Sequence, residues 1–319
     1  MLPEKGEGGS MATPQPAVLD RVMGKNQWYV HLSRVEGADL GHIKQALKKY
    51  REDVGMLQSN IKTVIAFGPS LLKELAPHAV PDDFQDFQTI ASTDGSGREA
   101  KGTQEELLLW LHSDDKGDVW KTQYDARTNL KGHMKVARET MTFIYGNSLD
   151  MTGFIDGTGN PVPDRDIEVA IVPDGQPGEG GTHVLAQRWV HDLEAFHALP
   201  IEEQEKVFGR RKTDSERLKE QPPTSHLAHV ELREGKTADD TKPKRNEISR
   251  RSTPYAFHDG TVGLYFLAFC KDQAPFRERL RAMYGLDGSP RDRLTDFSNP
   301  ASGSFYFAPS VEILNEITR

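Results

Sequence analysis

The chain has 319 residues, 36% of them hydrophobic and 28% charged, with a formal net charge of −8 and a sequence pI near 5.8. This composition predicts a packed core in one large domain or two ordinary ones, and argues against a disordered chain. It also argues against a general nucleic-acid binder, which would be basic, and no apolar run approaches the roughly 20 residues of a membrane span.

Residues 1–20 begin with the polar, Gly-rich MLPEKGEGGS, which lacks the apolar segment of a signal peptide. They read as a disordered tail or an expression scar. The stretch 26–34 alternates Trp28, Val30 and Leu32 with Tyr29 and His31, as a strand does. Asp39 is placed to cap a helix over 40–54, whose Ile43, Ala46, Leu47 and Tyr50 recur at helical spacing. A strand over 62–67, a short helix over 71–75, a polar loop over 92–103, a strand over 107–112, a helix over 117–126 and a strand over 135–145 follow. Strand–helix–strand twice is the split βαβ plan of a ferredoxin-like sheet.

The second half repeats the plan. Strands are predicted over 169–172, 183–190, 262–269 and 304–307. Helices are predicted over 193–197, 201–208 and 275–284, the last with Phe276, Leu280 and Met283 inward, and Ser310 caps a final helix. The polar segment 209–246 is a loop of the length that usually carries function or moves. The fold class is therefore α+β, with two ferredoxin-like α/β-sandwich halves of antiparallel sheet, 21–150 and 151–319. Cys270, the sole cysteine, lies in an apolar run and reads as a small buried hydrophobe. One cysteine allows no intrachain disulfide, zinc ribbon or iron–sulfur pattern, which fits a reducing, cytoplasmic setting.

The stretch Met151-Thr152-Gly153-Phe154-Ile155-Asp156-Gly157-Thr158-Gly159-Asn160-Pro161 stands out. Its glycines accept positive φ, Pro161 biases Asn160 toward an extended backbone, and the loop presents Asp156 between apolar flanks, a setting suited to acid–base work. Asp-Gly alone marks only a turn. A calcium loop would use Asp156, Asn160 and Asp164, but Pro161 sits where such a loop needs Gly and Ile167 where it needs Glu. A phosphate loop fails because no Gly-Lys-Ser/Thr follows. Among the histidines, His226 and His229 form an i, i+3 pair without the HExxH pattern of a zinc hydrolase.

The string GFIDGTGNP resembles the signature of the dye-decolourising peroxidases, and four more stretches resemble members of that haem family, the first of them its bacterial B-type (P-class) members. Thr224-Ser225-His226-Leu227 resembles the segment of the haem's proximal histidine. Arg250-Arg251-Ser252-Thr253-Pro254-Tyr255 resembles the run of its distal arginine, aligning Arg250 with that residue and Ser252 with a small polar position. Phe305-Tyr306-Phe307-Ala308-Pro309-Ser310, with Arg291-Asp292-Arg293-Leu294, resembles its C-terminal end.

The resemblance implies a dimeric α+β barrel-like fold, one haem b per chain, and iron held by His226, with His229 as runner-up. It implies Asp156 and Arg250 as the catalytic pair acting on hydrogen peroxide, and dyes, phenolics or other small-molecule electron donors as reductants. Leu264 and Phe266 would wall the haem pocket, although they suit an ordinary core equally well. Asp292, or Asp296 close behind it, would take the free N–H of the proximal histidine, and Arg210 would meet a haem propionate. A homo-oligomer, dimer or higher, is expected, without membrane or nucleic acid. Gly159 stands where many relatives have a glutamate implicated in manganese binding. Rival readings are a haem carrier or iron-retrieving dechelatase on the same fold, and a haem-free binding or assembly protein.

Overall fold

The computed structural model describes residues 12–56, 61–231 and 246–319. The first half supplies α1 (Pro16–Leu19), β1 (Asn26–Arg34), α2 (Leu40–Met56), β2 (Lys62–Phe67), α3 (Pro69–Leu75), the short pair β3 (Ile90–Ala91) and β4 (Glu99–Ala100), β5 (Leu107–Ser113), α4 (Lys116–Leu130) and β6 (Met134–Phe143). The second half supplies α5 (Asp166–Ala170), β7 (Thr182–His191), α6 (Leu193–His197), α7 (Ile201–Phe208), α8 (His226–Val230), β8 (Ser249–Arg250), β9 (Thr253–Ala256), β10 (Val262–Cys270), α9 (Ala274–Met283), β11 (Ser298–Pro300), β12 (Ser304–Ala308) and α10 (Val311–Ile317).

The two halves share one antiparallel sheet, ordered β6-β1-β5-β2-β12-β7-β10-β8, with β9 added on β10 and β11 on β7. They join where Phe67 of β2 faces Phe307 of β12. The sheet curls far enough to bring its two ends together: Thr142 on β6 and Thr253 on β9 share a 2.7 Å hydroxyl–hydroxyl hydrogen bond.

Alternation along each strand buries both faces of this sheet. Tyr29, Trp110, Tyr265, Leu267 and Tyr306 point into the curl. Trp28, Val30, Leu109 and Leu111 point outward, where Ile43, Leu47 and Tyr50 of α2 cover them. In the second half Phe276, Leu280 and Met283 of α9 face the sheet in the same way, as their spacing predicts. The opening of α4 follows from its cap: the Asp115 carboxylate accepts the Gly117 and Asp118 N–H groups at 2.6 and 3.1 Å.

Two expectations are corrected. The run 169–172 is not a strand. A 3₁₀ turn at Pro163–Arg165 feeds directly into α5, which runs to Ala170, and Ile171 just beyond it is extended. The buried Asp166 carboxylate fixes that helix by taking Arg21 Nε at 3.0 Å and the Ser249 hydroxyl at 2.9 Å. Residues 12–20 are not a tail. Gln15 donates to the Ile65 and Pro309 carbonyls, and Ala17 and Val18 are buried. Residues 1–11 lie outside the described residues. Among the described residues no helix is long and apolar enough to cross a membrane.

Candidate active site

A pocket opens between the outward face of the second half of the sheet and the helices α8 and α9. It holds about 1220 Å³ of space not filled by atoms, part of it open to solvent, and every described residue bordering it lies between Asp150 and Ser298. Its walls are mainly apolar, with Leu264 and Phe266 of β10 on one side and Phe276, Leu280 and Met283 of α9 on another. Asp156, Arg250 and His226 all border it.

Asp156 is positioned by the loop that precedes α5. Its N–H donates to the Ser148 carbonyl at 2.9 Å, and Leu149 and Ile155 form a bridge beside it. Gly153 and Gly157 sit at φ +84° and +86°, values that L side chains seldom adopt. Phe154 is buried, stacked on Phe208 with ring centres 4.1 Å apart, and Phe208 in turn meets His226 edge-on at 6.4 Å. One aromatic ring thus braces both the Asp156 loop and the His226 imidazole.

Arg250 Nη1 stands 3.7 Å from Asp156 Oδ1, with the two side chains 14% and 23% exposed. A charge pair so placed remains open to a small molecule in the pocket. Neighbouring Arg251 turns the other way, donating to the Asp20 and Val18 carbonyls and to the buried Ser249 hydroxyl. Of the two arginines, Arg250 alone borders the pocket.

His226 opens α8, and its Nδ1 lies 2.7 Å from Oδ2 of the fully buried Asp292. Nε2 has no hydrogen-bond partner among the described residues, so it is the nitrogen available to an incoming ligand. His229 is excluded from that part: both its ring nitrogens sit 2.7 Å from carbonyl oxygens, those of Ser225 and Pro290. Asp296 is held by Arg291 Nη2 at 2.8 Å and is not the partner of His226.

Two expected pocket residues are placed differently. Ser252 is buried but borders a second cavity, on which Asp156, Asn160 and Arg250 also lie, and its hydroxyl has no partner among the described residues. Arg210 borders the main pocket, but its guanidinium donates to the Ser215 carbonyl at 2.8 Å and to Glu231 at 3.3 Å.

The pocket also holds groups that sequence reasoning missed. His191 Nε2 meets Asp150 Oδ1 at 3.0 Å and its Nδ1 meets the Ser298 hydroxyl at 2.8 Å. Burial pushes the Asp150 carboxyl up, but His191 and hydrogen bonds from Thr152 outweigh it and hold the group below its ordinary value. This pair ties the foot of the Asp156 loop to β7, and no spacing in the sequence advertises it. Arg279 is another group on this pocket, and Asn160, which bonds to Arg250, lies on the second cavity.

A family model described as Dyp-type peroxidase, C-terminal, matches residues 147–313, more than half of the chain and the whole of the pocket. The chain belongs to the Dyp-type peroxidase family. As a family member it is an enzyme, a peroxidase of the dye-decolorizing type. It is 30% identical to a dye-decolorizing protein of V. cholerae over 92% of this chain and 96% of that one, with a TM-score of 0.78. A Rhodococcus jostii RHA1 DypB variant in complex with heme is 25% identical over 96% of this chain and 98% of that one, with a TM-score of 0.84. A dye-decolorizing peroxidase of Brevibacterium linens is 30% identical over 190 residues, which span 57% of this chain and 50% of that protein. The family resemblance read from GFIDGTGNP, and the ferredoxin-like α+β fold inferred with it, are both borne out.

Proposed function

We propose that this family member is a haem peroxidase that holds one haem b in the pocket, reduces hydrogen peroxide, and oxidises dyes, phenolics or similar one-electron donors. The residues present fit the group. The walls are apolar, one imidazole is held by a buried carboxylate through Nδ1 with Nε2 left for iron, and an acid and a guanidinium share the same space. Haem, when bound, would supply an iron atom for an imidazole nitrogen to hold and the electrons that break the O–O bond.

The protein's own groups divide the remaining work. His226 would hold the iron through Nε2, and Asp292 would fix its tautomer and raise its basicity. Asp156 accepts a proton from one peroxide oxygen and returns it to the other, so that the departing oxygen leaves as water. Arg250 is always charged, and its rigid fork of donors stabilises negative charge on oxygen as that bond breaks. Leu264 and Phe266 exclude water from the cofactor's faces. Ser252 has its place in the second cavity, behind Asp156 and Arg250. The dye or phenolic donors would supply, one each, the two electrons that the haem gives up. We assign the site to the half 151–319 and a bracing role to 21–150. The buried lone Cys270 suits a reducing, cytoplasmic location. Gly159 offers no carboxylate at the pocket wall, so manganese oxidation forms no part of the proposal.

The observation that carries the reading is the Asp156–Arg250 pair facing the same pocket as His226. A haem carrier or dechelatase needs the imidazole and not the pair. The test is an absorbance spectrum of the purified protein before and after hydrogen peroxide, followed by oxidation of a dye or guaiacol. A haem band that responds to peroxide, with turnover, is expected. A haem band without turnover would return the molecule to the carriers, and a colourless protein that takes up no haem would overturn the proposal.

A further inference from the structure

α9 presents Phe276, Arg279, Leu280 and Met283 on one stripe, and all four border the pocket. Three of these are the apolar side chains such a stripe calls for, and the fourth is an arginine. Arg279 is only 8% exposed. Its Nε donates to the Asn246 carbonyl at 2.9 Å, which fixes the plane of the guanidinium. Its two Nη atoms have no hydrogen-bond partner among the described residues. Burial pulls its proton affinity down to about 9, and repulsion from Arg250 adds to this. Glu231 is the carboxylate that acts most strongly on it, but Glu231 already accepts from Arg210 and Arg217.

An unpaired buried cation is costly unless something offsets it. The guanidinium is an unusual choice for an apolar pocket wall unless an anion completes it. Its fork matches a carboxylate in two parallel hydrogen bonds. The occupant already proposed for this pocket carries two carboxylates on one edge. We propose that Arg279 grips a propionate carboxylate of the haem and so sets which way round the cofactor lies. This inference rests on the haem reading above. It also differs from what the sequence suggested, since Arg210, the arginine expected there, already serves Glu231 and the Ser215 carbonyl.

The test compares haem b with its dimethyl ester, in which both carboxylates are blocked, in the full-length protein and its variants Arg279→Met and Arg279→Lys. The readout is the rate at which bound cofactor passes to an excess of a haem-scavenging apoprotein, followed by absorbance. Losing a hydrogen-bonded charge pair of this kind corresponds to about 10-fold to 100-fold faster release. Arg279→Met should therefore release haem b at least tenfold faster than the wild type, with Arg279→Lys between them. With the dimethyl ester the wild type should release as fast as Arg279→Met, and the substitution should add nothing. The haem-free Arg279→Met protein should unfold at the same or a higher urea concentration than the haem-free wild type, because it no longer buries an unpaired cation. Equal release of haem b from wild type and variant overturns the proposal, as does an equal acceleration with the ester. If Arg279→Met does not fold, the wild-type comparison of haem b with its ester decides alone, and equal retention of the two overturns the proposal. A wild type that takes up no haem overturns the haem reading itself, and this inference with it.

Discussion

Asn160 and Arg250, 90 residues apart in the chain, hold each other by a reciprocal pair of hydrogen bonds. The Arg250 N–H donates to Asn160 Oδ1 at 3.0 Å, and Asn160 Nδ2 donates back to the Arg250 carbonyl at 3.1 Å. Arg250 Nε also points at the same oxygen, 3.4 Å away. The amide thus clamps the Asp156 loop to β8 and sets the distance between Asp156 and Arg250. Each hydrogen bond contributes about 0.5–1.5 kcal/mol, so Asn160→Ala should destabilise the protein by about 1–3 kcal/mol. It should also slow the reaction with peroxide, because reacting groups displaced by ~1 Å cost up to about 100-fold. Urea unfolding and stopped-flow mixing with peroxide check the two effects separately. Unchanged peroxide kinetics would show that the clamp serves stability alone.

The pair itself should be far more sensitive. Asp156→Asn keeps the shape of the side chain and removes its ability to take up a proton, which corresponds to a loss of about 10²–10⁴-fold in the peroxide step. Arg250→Leu removes the donors that face developing negative charge, worth about 10²–10³-fold. The two groups act in one step, so the double variant should be little worse than the more damaging single change. Stopped-flow rates that match the wild type in both single variants would remove them from the chemistry.

Asp292 allows a cleaner substitution than most buried acids. Its Oδ1 accepts the Leu294 N–H at 2.9 Å and caps a 3₁₀ turn, while its Oδ2 serves His226. Asp292→Asn keeps the shape and an oxygen for the cap but removes the charge opposite Nδ1. Changes of this kind cost about 10–100-fold in affinity or activity. The expected result is weaker haem retention and a more positive reduction potential, with little change in the urea midpoint of the haem-free protein. A potential equal to that of the wild type would mean that Asp292 only positions the imidazole.

Much of this site was legible in the sequence because its parts are carried by short, dense strings. Asp156 comes from a Gly-rich loop, Arg250 from the run ahead of Pro254, and His226 from the segment after Pro222-Pro223. Of what joins the strings, the contact of His226 with Asp292, across 66 residues, was expected from the family resemblance and not from spacing, whereas that of His191 with Asp150, across 41 residues, was not legible. Arg279 was readable in principle, since it falls on the stripe set by Phe276, Leu280 and Met283, but a long charged side chain on a helix usually reaches for solvent. The joining of the two halves into one sheet was hidden for another reason. β2 and β12 each read as buried strands, and periodicity does not tell which buried strand lies beside which. The run 169–172 failed because four apolar residues fit a helix as well as a strand.

The core also sets an acid limit on the protein. His31 lies inside the curled sheet, its ring nitrogens 2.7 and 2.6 Å from the Tyr306 and Tyr265 hydroxyls, and burial, with the charges of Arg138 and Arg188, lowers it to about 3. Burial, with Lys62 close by, lowers His112 to about 4. Both are neutral in the folded protein at pH 5, whereas an unfolded histidine takes up its proton near pH 6.5. The unfolded chain therefore binds more protons than the folded one between about pH 4 and 6.5, and stability rises with pH across that window. It is fully present above pH 6.5 and is lost as the pH falls. Two such groups together remove about 4 kcal/mol between pH 7 and pH 5. Depressed carboxylates such as Asp150 titrate below this window and do not share in the loss. Urea midpoints at pH 7, 6 and 5 should fall steadily, and His31→Gln, which cannot take up a proton in either state, should show about half the slope. A midpoint that stays level from pH 7 to pH 5 would mean that these imidazoles are not held neutral by the fold.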